Sequence, residues 1–446
     1  MMLNRRRMMQ GTAALALAGL SGATLAQDQP AVPIVFVHGD SDAASIWQTI
    51  FWRFESNDYP RNRLFAINFT DPQARDDDAK SQPNRSSTQD QLRELTAFID
   101  NVKAQTGAGK IAIVALSRGG YATRGYVAAH PENVSHAVLC GTPNHGVFAI
   151  DALPGSEYNG RGPFLTRLNA GASEVTPDVP FLTLRSDGFD LYAQPDGRFI
   201  GFAGTPTNVT ADGPALKGAT NILLGEVDHR ETACSPRAFA EIYKFIVGRA
   251  PARIAVAPEA DVVLNGLVTG VVDGTPTNRS VEGATVEIYR LSAETGERQG
   301  GPVHSKKTSA DGIWGPANFD PATPLEFVVA APGAPITHIY RSAFPRSFGM
   351  LNLRPAAAIA KEDADAAAIV RMDRPRGYFG IPRDIVLLDG KQPADVPTGV
   401  PASWHTALKL AAVENRPIVG EFNEERIVAR AWPAKDNHVT VVELTG

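Results

Sequence analysis

The sequence predicts an α/β fold, a mostly parallel sheet with helices on both faces, followed by an all-β C-terminal region. Three observations carry this reading. Between residues 30 and 249, short apolar runs at 32–37, 64–68, 111–116, 135–140, 180–184 and 220–224 alternate with stretches of helical spacing, the pattern of parallel strands joined by crossover helices. From Ala250-Pro251-Ala252 to Pro258-Glu259-Ala260 the composition turns rich in Pro and Ala. Beyond that linker, period-two alternation as in Gly283-Ala284-Thr285-Val286-Glu287-Ile288-Tyr289 replaces helical spacing, and no long amphipathic helix is expected before about Trp404 to Asn415.

At 446 residues the chain exceeds one ordinary domain, and 43% hydrophobic with 20% charged residues is the balance of a globular protein. A formal net charge of −5 gives no basic footprint for nucleic acid. The start, Asn4-Arg5-Arg6-Arg7-Met8-Met9-Gln10, a modestly apolar run from Ala13 to Leu25 and the small residues before Gln27 read as a signal peptide over 1–26. Its paired arginines are those of a twin-arginine signal, which implies export of the folded protein to the periplasm or beyond. The run is too short to span a bilayer, so no transmembrane segment is expected. Four parts follow: 1–26 as signal, 30–249 as the α/β domain, 259–344 as a β-sandwich of transthyretin-like character and 345–446 as further β structure. The strands expected in the last part lie at Ile385–Leu388, Arg426–Trp432 and His438–Leu444.

In chain order, Pro33-Ile34-Val35-Phe36-Val37 is a buried strand that ends in His38-Gly39-Asp40. Glycine at 39 lets the main chain turn an amide towards a ligand, while His38 reads as a brace for the loop. An acidic side chain beside such an amide is unwelcome, so Asp40 is expected to point away or be paired. Ser87-Thr88 caps a helix that runs to about Ala104, with Leu92, Leu95, Phe98 and Ile99 at helical spacing. The run Arg75-Asp76-Asp77-Asp78 reads as a solvated surface rather than a metal site.

The most specific feature is Ala115-Leu116-Ser117-Arg118-Gly119, set between the apolar Ile111-Ala112-Ile113-Val114 and a helix over 120–130. A serine flanked by small residues on a strand-to-helix turn is held with its Oγ above the sheet, where an acyl carbon can reach it. In that geometry the residue after the serine and the turn after an early strand each supply a backbone N–H for a developing oxyanion; here these are Arg118 and Asp40. A carboxylate belongs in the loop after a late strand. Phe181-Leu182-Thr183-Leu184 is followed by two candidates, Asp187 and Asp190. Asp190 is preferred because two apolar residues and then Pro195 follow it; the other is left as a turn residue. After Asn221-Ile222-Leu223-Leu224 comes His229, then a helix over 236–247. A lone loop histidine is commonly only solvated, but this one completes the order Ser117, Asp190, His229, that of nucleophile, acid and base. Asn144 to Thr176 and Asp196 to Gly218 interrupt the alternation and are expected to build a cap over this edge of the sheet. The two cysteines, Cys140 and Cys234, should both lie near that edge and are expected to form a disulfide in an exported protein. No zinc-type Cys/His spacing is present, and neither metal nor cofactor is expected.

Residues 32–249 resemble bacterial secreted lipases of the α/β-hydrolase fold. The likeness rests on Val37-His38-Gly39, Ala115-Leu116-Ser117-Arg118-Gly119, Gly141-Thr142-Pro143-Asn144-His145-Gly146 and Asp228-His229-Arg230-Glu231. Lipases with an appended β-domain belong to the same group. The resemblance implies a serine hydrolase with Ser117, Asp190 and His229 as its triad, acting on acylglycerols or other carboxylic esters through an acyl-enzyme. Where the commoner elbow has His-Ser, this one has Leu116-Ser117-Arg118, which puts a fixed positive charge near the site. A polyester depolymerase is a close alternative, with the C-terminal β region holding the enzyme on a lipid or polymer surface. A non-catalytic surface-binding protein on a hydrolase scaffold is a more distant one, and the intact Ser-Asp-His order argues against it.

Overall fold

Six strands form the first sheet: β1 (Ile34–Val37), β2 (Leu64–Ala66), β3 (Ile111–Leu116), β4 (Val134–Cys140), β5 (Phe181–Ser186) and β6 (Thr220–Leu224). The computed structural model describes residues 31–200, 203–205, 207–413 and 415–446. The expected signal peptide, 1–26, lies outside the described residues. The strand order is β2-β1-β3-β4-β5-β6, and each neighbouring pair is parallel. Every residue of β1 and β3 is buried, which explains why both read as unbroken apolar runs instead of alternating ones. The order reverses between β1 and β3, so a crevice opens beyond their carboxyl ends, the usual ligand position in an open sheet.

Helices α1 (Gln48–Glu55), α2 (Thr88–Thr106), α3 (Gly119–Ala129), α4 (Pro163–Leu168), α5 (Glu231–Cys234) and α6 (Pro236–Val247) complete this part. Ser87 and Asp90 cap α2 reciprocally, and Gly107 ends it at φ +65°, a left-handed position that costs glycine little. On one face of the sheet, Leu95, Ile99 and Val102 of α2 and Ala122, Tyr126 and Val127 of α3 pack on Val35, Ile113 and Leu139. On the other face Phe36 meets Trp47, Phe51 and Phe54, and Phe54 meets Phe239 and Tyr243 of α6. The spacing of Phe239, Ile242 and Ile246 puts all three on the buried stripe of α6; each contributes roughly 1.5–3 kcal/mol by burial.

The remaining strands lie beyond the linker. They are β7 (Val262–Leu264), β8 (Thr269–Val272), β9 (Thr275–Ser280), β10 (Thr285–Arg290), β11 (His304–Lys307), β12 (Ala317–Phe319), β13 (Leu325–Ala330) and β14 (Ile336–Arg341). Then follow β15 (Ala368–Asp373), β16 (Val386–Leu388), β17 (His405–Leu410), β18 (Pro417–Phe422), β19 (Glu425–Arg430) and β20 (His438–Glu443). A seven-stranded sheet has the order β11-β10-β13-β14-β20-β15-β17. It joins strands from 259–344 with strands from 345–446, and β20 pairs in parallel with both β14 and β15. The stretch around Trp404 to Asn415 is a strand where helical spacing was expected. His405–Leu410 pairs antiparallel with β15, and six residues of mixed polarity fit either period until a neighbouring strand is present to decide.

Residues Val32–Gly446 cluster as one compact unit. The linker is fixed to the end of α1: Asn57 bonds Arg253 in both directions, and Ala257 N–H donates to Ser56 Oγ. Trp52 Nε1 donates to Ser347 O at 3.1 Å, Arg341 Nη2 to Gln48 Oε1 at 3.0 Å, and Phe51 meets Phe348 edge-on. Helix α1 is thus apolar towards the parallel sheet and towards the β region alike.

Candidate active site

Ser117 joins β3 to α3 at φ +52°. A non-glycine residue held in this left-handed region stores roughly 1–3 kcal/mol of strain, tolerated where the surroundings over-determine it. Those surroundings are backbone. A Cβ at Gly119 would come 2.5 Å from His38 O and 2.9 Å from Val37 O, and one at Gly39 would come 3.1 Å from Ser117 Cβ. The close fit of these two turns demands glycine at 119 and leaves a side chain at 39 only a tight place. Ala115, the other small residue of the elbow, is fully buried in β3.

His38 is buried. Its Nε2 accepts from Phe69 N–H at 3.1 Å and its Nδ1 donates to Gly39 O at 2.8 Å, so it braces the loop that carries Asp40. Burial pulls its pKa down to about 4. The Asp40 carboxylate turns away from the elbow's backbone, accepting from Tyr158 Oη at 2.6 Å, Ala74 N–H at 3.0 Å and Ser41 Oγ at 2.7 Å. Among the described residues, the backbone N–H groups of Asp40 and Arg118 find no protein acceptor.

The Arg118 side chain does not lie as a bare charge in the site. It is fully buried and forks onto Glu157, with Nη2 to Oε2 at 2.9 Å. It also donates to Pro72 O, Ser86 Oγ and Ser86 O. Burial works against its charge, but the Glu157 carboxylate outweighs this and lifts the guanidinium above its ordinary range. Arg124, one helical turn along α3, reaches Asn144, Leu168, Asn169 and Glu174. Two buried arginines therefore root the insertion 144–176 on α3 and the turn before it, a role that the sequence does not signal.

Asp190 and His229 meet: His229 Nδ1 donates to Asp190 Oδ2 at 2.7 Å, both groups buried. Asp190 Oδ1 accepts from Tyr192 N–H at 2.8 Å, and the Tyr192 ring stands edge-on to the imidazole at 4.6 Å. Asp187 instead accepts from Phe189 N–H and Glu226 N–H and holds its own turn. One main-chain corner borders both serine and histidine. Ser117 N–H donates to Cys140 O at 2.7 Å, and at the next residue, Gly141 with φ +54°, a Cβ would come 3.2 Å from His229 Cε1. Cys140 and Cys234, expected as a disulfide, are instead free and buried thiols; burial pushes the Cys234 thiol up to about 12, so neither carries the thiolate that reacts.

The His229 loop also meets the β region. Asp228, fully buried, accepts at Oδ2 from Arg374 Nη1 (2.9 Å), Tyr378 N–H (2.8 Å) and Arg383 Nη2 (3.3 Å). Glu231 accepts from Arg374 and from Arg383 Nη1 at 2.8 Å. Arg230 pairs with Asp42 at 2.6 Å and lies over the rings of Tyr378 and Trp404. The crowding of arginine in Arg371-Met372-Asp373-Arg374-Pro375-Arg376 was the only trace of these contacts in the sequence.

Comparison with known proteins follows the same division. Residues 31–145 match the model of the lipase (class 2) family, and residues 260–358 match that of the lipase C-terminal domain. No curated protein matches the chain in sequence. Among solved structures, a Bacillus licheniformis lipase in propeptide form is similar at 19% identity over 68% of this chain and 72% of its own, with a TM-score of 0.37. Aspergillus fumigatus lipase B is similar at 16% identity over 50% of this chain and 54% of its own, with a TM-score of 0.36. The two lipase models thus fall on separate stretches, the first on the parallel sheet with its serine elbow and the second on the β region beyond it, and the fold is that of an α/β-hydrolase followed by a C-terminal β region.

Proposed function

We propose that the protein is an exported lipase-like serine hydrolase with Ser117 as nucleophile, His229 as base and Asp190 as the acid that orients it. The observation that carries this is the 2.7 Å bond from His229 Nδ1 to Asp190, in a fold where the main-chain corner at 140–141 bonds Ser117 N–H on one side and packs close to His229 on the other. Nδ1 donates to the carboxylate, so Nε2 is left to accept the Ser117 proton as Oγ attacks the ester carbonyl. The backbone N–H groups of Asp40 and Arg118 receive the oxyanion. His229 returns the proton to the leaving alkoxide, and an acyl-Ser117 ester remains. Water, deprotonated by the same imidazole, releases the acid.

Acylglycerols are the proposed substrates, and both family models support them. Ile385 and Trp404, 62% and 37% exposed, are the side chains by which the β region would meet a lipid surface. Export is proposed through the twin-arginine route from the Arg5-Arg6-Arg7 start.

The test is hydrolysis of short- and long-chain esters by the wild type and its variants. Ser117→Ala is expected to lower kcat by at least about 10⁴-fold and Asp190→Asn by about 10²–10⁴-fold. Asp187→Asn should change it little. Equal ester cleavage by wild type and Ser117→Ala would end this reading.

A further inference from the structure

We propose that Arg374 and Arg383 of the β region are positioning residues for His229, acting through the two carboxylates that flank it. The proposal rests on the reading of His229 as base. The loop between β6 and α5 has little rigidity of its own, since α5 is a single turn of four residues. What holds it is a pair of acids. Asp228 Oδ1 accepts from the N–H groups of Arg230 and Glu231, each at 3.0 Å, and Glu231 Oε2 accepts from Asp228 N–H at 2.8 Å. The main chain on both sides of His229 is thus tied to two carboxylates, one fully buried and the other largely so. Their counter-charges come from residues more than 140 positions later. Arg374 spans both acids, and so does Arg383.

Arg374 is in turn fixed. It donates to Tyr378 O at 2.6 Å and Gly446 O at 3.2 Å, and its guanidinium lies over the Phe422 ring at 4.1 Å. A Cβ at Gly377 would come 2.1 Å from Arg374 Nη1, so glycine there leaves room for the planar fork. A planar guanidinium can serve two carboxylates with defined directions, which an ammonium cannot. Catalytic groups need placement to within about 0.5 Å. The arginine pair therefore ties the β region to the distance between His229 and Ser117, without touching substrate.

The experiment compares full-length wild type with Arg374→Gln, Arg374→Lys, Arg383→Gln and a control, Arg430→Gln, whose partners Thr295, Asn415 and Glu297 include no residue of the loop. Each is checked for folding by circular dichroism and thermal midpoint. In folded protein, Arg374→Gln is expected to lower kcat at least 10-fold with KM within 2-fold. Labelling of Ser117 by a fluorophosphonate should slow in the same ratio. Arg374→Lys should recover part of the loss and Arg430→Gln should match wild type. If Arg374→Gln does not fold, Arg383→Gln, nearer the surface, reads the same contact. Wild-type kcat and labelling in a folded Arg374→Gln or Arg383→Gln, with Ser117→Ala inactive, overturns the positioning role alone. An active Ser117→Ala overturns the assignment of the site itself.

Discussion

His38 shows how one buried side chain sets a pH dependence. Its folded pKa of about 4 lies below the ordinary 6.5 because burial disfavours the charged ring. Between these values the unfolded chain holds a proton that the folded chain does not, so stability falls as pH drops from 6.5 to 4, by about 3 kcal/mol in all. Asp373 works the other way. Burial, opposed by Arg371, raises its pKa from 3.8 to about 6. The folded chain there holds the extra proton, so this contribution is present below pH 3.8 and lost as pH rises through 6. The two offset each other across most of the range. Asp373→Asn is therefore expected to steepen the loss of stability from pH 6 to 4, measured by urea midpoints; an unchanged slope would contradict the assignment. Neither effect was legible from the sequence. His38 could be read as a brace from its place before Gly39, but its acceptor contact with Phe69 N–H joins residues 31 apart.

At the scale of elements, the elbow and the Asp40 turn are one packed object. Gly119→Ala would drive a methyl into the carbonyls of Val37 and His38, carbonyls that cannot rotate away without moving the Asp40 amide. The expected result is a loss of roughly 1–3 kcal/mol of stability and a fall in kcat beyond that seen for Gly107→Ala, where the added methyl meets nothing within 4 Å. Equal activity in the two variants would separate the turns. The strands of this sheet could be read because buried parallel strands are continuous apolar runs, and α2 because Ser87 and Asp90 mark its start. The preference for Asp190 over Asp187 came from the two apolar residues and Pro195 that follow it, while its bond to His229 joins positions 39 apart and left no mark in the sequence. His405–Leu410 misled because its six residues take their period from β15, not from themselves.

For the whole molecule, the contacts between α1 and the β region make independent folding of residues 32–258 unfavourable. Removing 259–446 would expose Trp52, Phe51 and Gln48, and would strip Asp228 and Glu231 of the two arginines that hold them. Such truncation is expected to give aggregated or inactive protein. Intact protein should melt in one calorimetric transition; a stable, fully active fragment ending near residue 258 would refute this. The sequence showed a composition change at the linker but not that the linker is bonded to α1. Partner choice between charged groups over a hundred residues apart leaves no periodic trace.

The inner position of β20, fifth of the seven strands, governs when that sheet can close. β10, β11, β13 and β14 can pair as they leave the ribosome. β15 and β17 can pair with each other, but they have no place on the first four strands until residues 438–443 have been made and inserted between the two sets. Completion of this region therefore waits for β20, and a nascent chain stalled anywhere short of it carries two open sheet edges.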